Sequence, residues 1–166
     1  MKTVHLIRHA KSSWDHPGLS DVDRPLNDRG IRACKIMAQP IWDAGCRFEN
    51  VFCSRARRTQ LTIQGLADAL PGKPIDWQVE DALYTFSGHA LLDWVMLLDE
   101  SLDDIVMVGH NPATTDFCNG MAKARIPNVP TCGYAQIHFP QSRWMDLKVG
   151  SGKLACFLTP KTVEKA

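Results

Sequence analysis

Short apolar segments alternate with segments of helical periodicity along the chain, and this alternation constrains the fold more than any other feature. Apolar runs cover residues 3–7, 50–53 and 104–108. After the first run, apolar residues recur at three- and four-residue steps, the spacing of one buried helical face, at Ile31, Cys34, Met37, Ala38 and Ile41. Strands separated by helices predict a three-layer α/β/α domain with a mostly parallel sheet.

Capping and turn residues predict the bounds of the other elements. Asn27, Ser54 and Ser87 are candidate N-caps of three helices, of which the second should end near residue 69 and the third at residue 98. Proline in a first helical turn indicates a further short helix over residues 112–121. The remaining apolar runs predict three more strands, the last two at an antiparallel edge: residues 75–79, 135–139 and 154–158.

Length and charge limit the class of protein. At 166 residues and 45% hydrophobic content, the chain can bury one core and is too short for two ordinary domains, so we expect a single domain over residues 1–166. A formal net charge of +1, spread along the chain, gives no electrostatic support for bulk nucleic-acid binding. No segment approaches the ~20 apolar residues that a membrane helix needs. We therefore expect neither nucleic acid nor a membrane as partner.

The cysteines indicate a reducing compartment. Six cysteines are present without a Cys-x-x-Cys pair, and the N-terminus has no apolar region behind a basic start. These features argue against a zinc ribbon and against secretion, so we expect a cytoplasmic protein. Cys34 and Cys53 lie on apolar stripes, which predicts buried free thiols.

Basic and imidazole side chains follow three of the predicted strands. Arg8 and His9 come directly after the first apolar run, an arginine-rich segment over residues 55–58 follows the second, and His110 follows the third. In an open α/β sheet, ligands bind beyond the carboxyl ends of the strands. Because arginine binds phosphate through two parallel hydrogen bonds, this convergence indicates phosphate chemistry.

Four landmarks in this order make the sequence resemble the histidine phosphatase superfamily, and within it the SixA-type phosphohistidine phosphatases. The resemblance covers about residues 3–140. It departs from the wider superfamily at Ala10, where glycine is usual, and at Arg55, where proline is usual. The landmarks are Leu6-Ile7-Arg8-His9-Ala10-Lys11-Ser12-Ser13-Trp14, then Arg24-Pro25-Leu26-Asn27 with Gly30, then Ser54 with Arg58, and finally Gly109-His110.

The resemblance implies a phosphoglycerate mutase-like fold, a single histidine phosphatase domain and a role for each site residue. His9 is the nucleophile that forms a covalent phosphohistidine, and Arg8, Arg58 and His110 bind the phosphoryl group and act in catalysis. Spacing from Ser54 is the reason for choosing Arg58 over its arginine neighbours. The scheme requires no metal and no cofactor.

The substrate depends on the general acid, because an alkoxide that leaves from a phosphate ester needs a proton. Glu80 and Asp81 are the candidates, and their neighbours do not match the acid motif of the family. This favours a P–N bond and a phosphorylated protein as partner, such as a histidine phosphotransfer domain. A small-molecule phosphomonoesterase and a non-catalytic phosphate- or phosphoprotein-binding module remain alternatives. The polar loop over residues 15–29 is expected to flank the site, either as a lid or as a shallow wall.

Overall fold

A computed structural model describes residues 1–165 and places six strands in one sheet, in the order β3-β2-β4-β1-β5-β6. β1, β2, β3 and β4 are mutually parallel, whereas β5 and β6 are antiparallel to their neighbours. The predicted mostly parallel sheet with an antiparallel edge is confirmed. The bounds are β1 Lys2–Arg8, β2 Val51–Cys53, β3 Trp77–Val79, β4 Asp104–Gly109, β5 Tyr134–Phe139 and β6 Lys153–Leu158.

Helices cover both faces of the sheet and form the outer layers of the predicted three-layer domain. α1 and α2 pack together on one face with α5, and α3 and α4 pack together on the other. The C-terminal helix α5 was not predicted from the sequence. The bounds are α1 Asp28–Asp43, α2 Arg57–Asp68, α3 Gly88–Val95, α4 Ala113–Ala122 and α5 Pro160–Glu164.

Alternating side chains of the central strands fill two separate cores. In β4, Ile105 and Met107 join the core under α3 and α4, whereas Val106 and Val108 join the core under α1 and α2. Successive side chains of a strand point to opposite faces, so each central strand supports both layers. Because both faces of the central strands are buried, the sheet gives the site a rigid base.

Two of the predicted N-caps are confirmed and one is wrong. Asn27 accepts a hydrogen bond from the Gly30 amide, and Ser87 accepts one from the Ala90 amide. α2, in contrast, begins only at Arg57 and has Ala56 at its N-cap position. The Ser54 hydroxyl lies 2.8 Å from His110 Nε2 instead, because that long-range partner is within reach where the strand ends.

Two smaller predictions are corrected. Ile31 is 47% exposed, so it does not belong to the buried face of α1, where Gly30 packs against the backbone of Lys11 instead. α3 ends at Val95, three residues before the expected end.

Cys34 and Cys53 are buried free thiols, as predicted. Within residues 1–165, no helix has the length and apolar character needed to span a membrane.

Candidate active site

The ends of β1, β2 and β4 bring the predicted site residues together. Arg8 pairs with Gly109 across these parallel strands, and the His9 amide donates to the Gly109 carbonyl at 3.0 Å. This register sets His9 and His110 side by side, with 5.4 Å between the ring centroids. Both line a cavity of about 550 Å³ that also contains Arg8 and Arg58, and we call it the His9 cavity.

His9 is held in one tautomer by a backbone hydrogen bond. Its Nδ1 lies 2.7 Å from the Ala10 carbonyl oxygen, and because a carbonyl only accepts, Nδ1 carries the proton. The lone pair is therefore on Nε2. Burial disfavours the imidazolium and, with the charges of Arg58 and Arg8, lowers the pKa of His9 to about 4 despite the opposing hydrogen bond to Ala10. His9 is neutral and nucleophilic at physiological pH.

The guanidinium groups of Arg8 and Arg58 are each held by a backbone carbonyl, and each keeps its Nε donor unpaired. Arg8 Nη1 donates to the Val129 carbonyl at 2.9 Å, and Arg58 Nη1 donates to the Asp21 carbonyl at 2.7 Å. Within residues 1–165, the buried Nε atoms of both arginines have no hydrogen-bond partner. Both guanidinium groups line the His9 cavity, so an anion bound there would meet two fixed positive charges.

The structure separates Arg58 from the two neighbouring arginines. Arg58 is 3% exposed and lines the His9 cavity. Arg55 and Arg57 are exposed, and Arg55 lies against the Tyr84 ring, 3.8 Å from the Asp81 carboxylate. Arg58, as chosen from its spacing, is thus the arginine of this segment that the fold turns into the cavity.

His110 is engaged at both ring nitrogens. Its Nδ1 lies 3.3 Å from Arg58 Nη2, and its Nε2 lies 2.8 Å from Ser54 Oγ. Since a guanidinium only donates, Nδ1 accepts and the proton is on Nε2. Burial and the charge of Arg58 lower the pKa of His110 to about 3, so the ring is neutral without an anion. His110 can donate from Nδ1 only after it takes up a proton, which the charge of a bound phosphoryl group would favour.

The loop over residues 15–29 forms one wall of the cavity, as predicted, and it contributes two side chains whose roles were not foreseen. The Asp21 carboxylate accepts from Arg58 Nη2 at 3.0 Å, from Arg24 and from the Tyr84 hydroxyl. Partial burial acts to raise the pKa of Asp21, but the hydrogen bonds from Tyr84 and Arg58 outweigh it and lower the pKa to about 2. The Arg24 guanidinium lies 3.6 Å from the centre of the Trp14 ring.

Aromatic rings form another part of the cavity lining. The ring centroids of Tyr84 and Phe86 lie 5.2 and 5.5 Å from that of His110. In the sequence, Arg24 was marked only by the Arg-Pro-Leu-Asn motif that contains it, and Asp21 only by the length of its loop. Nothing in the local sequence marked Tyr84 or Phe86.

The two candidate general acids do not line the His9 cavity. Glu80 lines a different cavity beside Trp94, and Asp81 is exposed and faces Arg55. The carboxylate that does line the His9 cavity is Asp21, which is ionised at neutral pH. Across residues 1–165, no three His, Cys, Asp or Glu side chains cluster as potential metal ligands.

Comparisons with known proteins found a family model, a solved structure and a curated relative that the chain resembles. A family model for the histidine phosphatase superfamily (branch 1) matches residues 4–87. A solved structure described as phosphohistidine phosphatase SixA from Agrobacterium tumefaciens is 28% identical, with a TM-score of 0.78 over 96% of this chain and 98% of that one. The protein Rv1276c of Mycobacterium tuberculosis is 24% identical over 93% of this chain and its own full length.

The fold alone is shared with a more distant phosphatase. A solved structure described as an α-ribazole-5'-P phosphatase from Escherichia coli has a TM-score of 0.70 and 16% identity, over 96% of this chain and 98% of that one. Similar structures thus include one named for phosphohistidine and one named for a small-molecule phosphate ester.

Proposed function

The chain belongs to branch 1 of the histidine phosphatase superfamily, and on that premise we propose that it hydrolyses phosphohistidine on a protein through a covalent intermediate at His9, without a metal. The observation that carries the proposal is that a neutral His9, with the lone pair on Nε2, and the guanidinium groups of Arg8 and Arg58 line one cavity. A nucleophile and phosphate-binding donors are the parts that phosphoryl transfer needs.

The first step forms one P–N bond and breaks another. His9 Nε2 attacks phosphorus while the substrate imidazole, protonated on its other ring nitrogen, leaves as a neutral ring with the electron pair of its P–N bond. Arg8 and Arg58 hold the equatorial oxygens and balance their charge through guanidinium N–H groups. His110, protonated once the phosphoryl group is bound, donates from Nδ1 to the same oxygens.

The second step returns His9 to its starting state. The oxygen of a water molecule attacks the phosphorus of phospho-His9, and the P–N bond breaks with its electron pair returning to Nε2. The protons of the water remain with the released phosphate and solvent. The Ala10 carbonyl keeps the proton on Nδ1 throughout, so Nε2 is again the free nitrogen.

The lining of the cavity supports a P–N substrate. Asp21 is ionised and already accepts three side-chain partners, so it is a poor proton donor to an alkoxide. Neither Glu80 nor Asp81 lines the cavity. An imidazole is a more stable leaving group than an alkoxide and needs less acid assistance, which favours phosphohistidine over a phosphate ester.

The test compares two substrates in the presence of a chelator. Phosphate release is measured from a histidine phosphotransfer protein phosphorylated on histidine and from an aryl phosphate ester. We expect a higher kcat/KM for the phosphoprotein and no turnover with His9→Ala. Faster ester turnover would assign a small-molecule phosphomonoesterase, and phosphate binding without turnover would assign a binding module. Loss of activity in chelator would contradict metal independence.

Arg58 is tested with a matched neighbour. Arg58→Ala should lower kcat/KM for the aryl ester roughly 10²- to 10³-fold, because it removes a donor to the charge of the transition state. Arg57→Ala is the control, since Arg57 is exposed and adjacent in α2. Equal effects of the two substitutions would contradict the role given to Arg58.

A further inference from the structure

A band of exposed cations extends from the His9 cavity along α1. It consists of Lys11, Arg29, Arg32, Lys35 and Arg57, and we call it the basic face. All five side chains are exposed, and in the described part of the chain none of them forms an ion pair. Because the formal net charge is only +1, this excess of positive charge is local.

The basic face is continuous with the candidate active site. Lys11, Arg29 and Arg32 line a small cavity of about 110 Å³ together with Thr131. Lys11 and Thr131 also line the His9 cavity, so the two cavities share a wall. Arg29 and Lys35 are six residues apart in α1, about 9 Å along the helix axis. A molecule with a phosphoryl group in the His9 cavity can therefore reach the basic face.

An apolar groove adjoins the far end of the basic face. It has a volume of about 620 Å³, lies between α1 and α2, and is lined by Leu26, Ile31 and Leu61, with Lys35 and Arg57 among its polar residues. Ile31 is 47% exposed there. An apolar groove with cations along its border is complementary to an amphipathic helix whose polar side is acidic.

Helix stability does not account for two of these cations. Arg29 is the second residue of α1 and Arg57 is the first residue of α2, and a cation in a first turn opposes the helix dipole. Three carboxylates lie in the same region, at Asp28, Asp68 and Glu164, and they leave the cations in excess. An anionic partner would offset the unfavourable placement of both arginines.

We propose that the basic face and its groove dock an acidic amphipathic helix of the phosphorylated protein while the phosphorylated side chain enters the His9 cavity. This inference rests on the proposed function, because only a protein substrate can span both surfaces. Charge complementarity of this kind speeds association and lowers KM, and it leaves the chemical step unchanged.

The kinetic test uses two charge-matched double variants. Arg29→Glu/Arg32→Glu reverses the basic face, and Lys148→Glu/Lys153→Glu reverses two exposed lysines outside the basic face, of which Lys153 begins β6 and pairs with His138. At low ionic strength we expect the first variant to lose roughly 10- to 100-fold in kcat/KM for the phosphoprotein, through KM. The kcat/KM of the control variant for the phosphoprotein should stay within about twofold of the wild-type value. The same holds for the kcat/KM of both variants for the aryl ester.

Three kinetic outcomes would overturn the docking proposal. They are an unchanged kcat/KM for the phosphoprotein in Arg29→Glu/Arg32→Glu, an equal loss in the two double variants, and an equal loss for the aryl ester. Raising ionic strength from about 50 to 300 mM should also remove most of the difference between the wild type and the first variant, since exposed charges are screened. A difference that persists at high salt contradicts an electrostatic surface.

A binding test separates the docking face from the proposed chemistry. The probes are a peptide of about 16 residues, roughly four helical turns with Glu on one side and Leu on the other, and a single-stranded RNA of equal net charge. Amide shifts in α1 and α2 on addition of peptide, lost in Arg29→Glu/Arg32→Glu, would support the docking face even if only the ester is hydrolysed. Tighter binding of the RNA, or no binding of the peptide, would overturn it.

Discussion

At the scale of single residues, the contact that controls the proposed chemistry is the one between His9 Nδ1 and the Ala10 carbonyl, 2.7 Å apart. It fixes the proton on Nδ1 and leaves Nε2 as the nitrogen that can attack. The Ala10 amide donates in turn to Thr62 Oγ1 at 2.9 Å, so α2 holds the segment that orients the histidine. The same burial that orients His9 also keeps it neutral, because an imidazolium would lose its hydration there.

The protonation state of His9 can be measured directly. In the protein without ligand, the imidazole should remain neutral as the pH falls to about 5 and titrate near its lowered pKa of about 4. The midpoint is read from the ring ¹⁵N shifts, with His9→Gln identifying the signals. A midpoint at or above the ordinary imidazole pKa of about 6.5 would contradict the structure.

Asp21 supplies a second prediction for a single residue. Its carboxylate neutralises part of the charge of Arg58 and also orients that guanidinium by accepting from Nη2. Asp21→Asn should therefore lower the inhibition constant of inorganic phosphate several-fold, because the pocket becomes more positive, while kcat falls because Arg58 is less firmly held. Asp23→Asn is the control, since Asp23 is two residues away in the same loop, is exposed and accepts a hydrogen bond from Ser20. Weaker phosphate binding with unchanged kcat would refute this assignment.

At the scale of elements, the start of α1 and the segment after β1 are fitted closely together. A Cβ at Gly30 would lie 2.2 Å from the Lys11 carbonyl oxygen, and the Asn27 amide donates to that same oxygen at 3.0 Å. The contact sets the backbone two residues beyond His9. The first turn of α1 thereby shapes the site although none of its side chains enters the His9 cavity.

This close approach predicts opposite effects for two glycine substitutions. Gly30→Ala should lower the free energy of unfolding by about 1–3 kcal/mol, because the clash is with backbone that cannot move freely, and should also lower kcat/KM. Gly120→Ala should raise the free energy of unfolding by about 0.5–1 kcal/mol, because Gly120 is inside α4 and an added Cβ would meet no neighbouring heavy atom within 4 Å. Urea denaturation measures both. Wild-type stability of Gly30→Ala would disprove the contact.

At the scale of the whole molecule, the sequence predicted what local patterns determine. Apolar alternation located β1 and β4, and capping residues located the starts of α1 and α3. It failed where contacts are long-range: Ser54 was expected to cap α2, but its partner His110 is 56 residues away in sequence. Tyr84 and Asp21 are 63 residues apart and meet only in the folded cavity. Periodicity and propensity describe neighbours along the chain, so they carry no signal for such pairs.

The two buried histidines also couple the stability of the whole domain to pH. The folded pKa values are about 4 for His9 and about 3 for His110, whereas an unfolded histidine has a pKa of about 6.5. At pH values between the folded and unfolded pKa values, the unfolded chain therefore binds more protons than the folded chain. Stability from this source is complete above about pH 6.5 and is lost as the pH falls through the interval.

We expect the free energy of unfolding to drop by a few kcal/mol between pH 7 and pH 4.5, in urea titrations at each pH. His9→Asn/His110→Asn should show a clearly shallower slope, since neither asparagine titrates, whatever the cost of the substitutions at neutral pH. Identical slopes for the two proteins would mean that His9 and His110 titrate alike in the folded and unfolded chains. The tight burial and arginine contacts proposed to keep the nucleophile neutral would then have no energetic effect, and the argument for a neutral His9 at the site would fail with them.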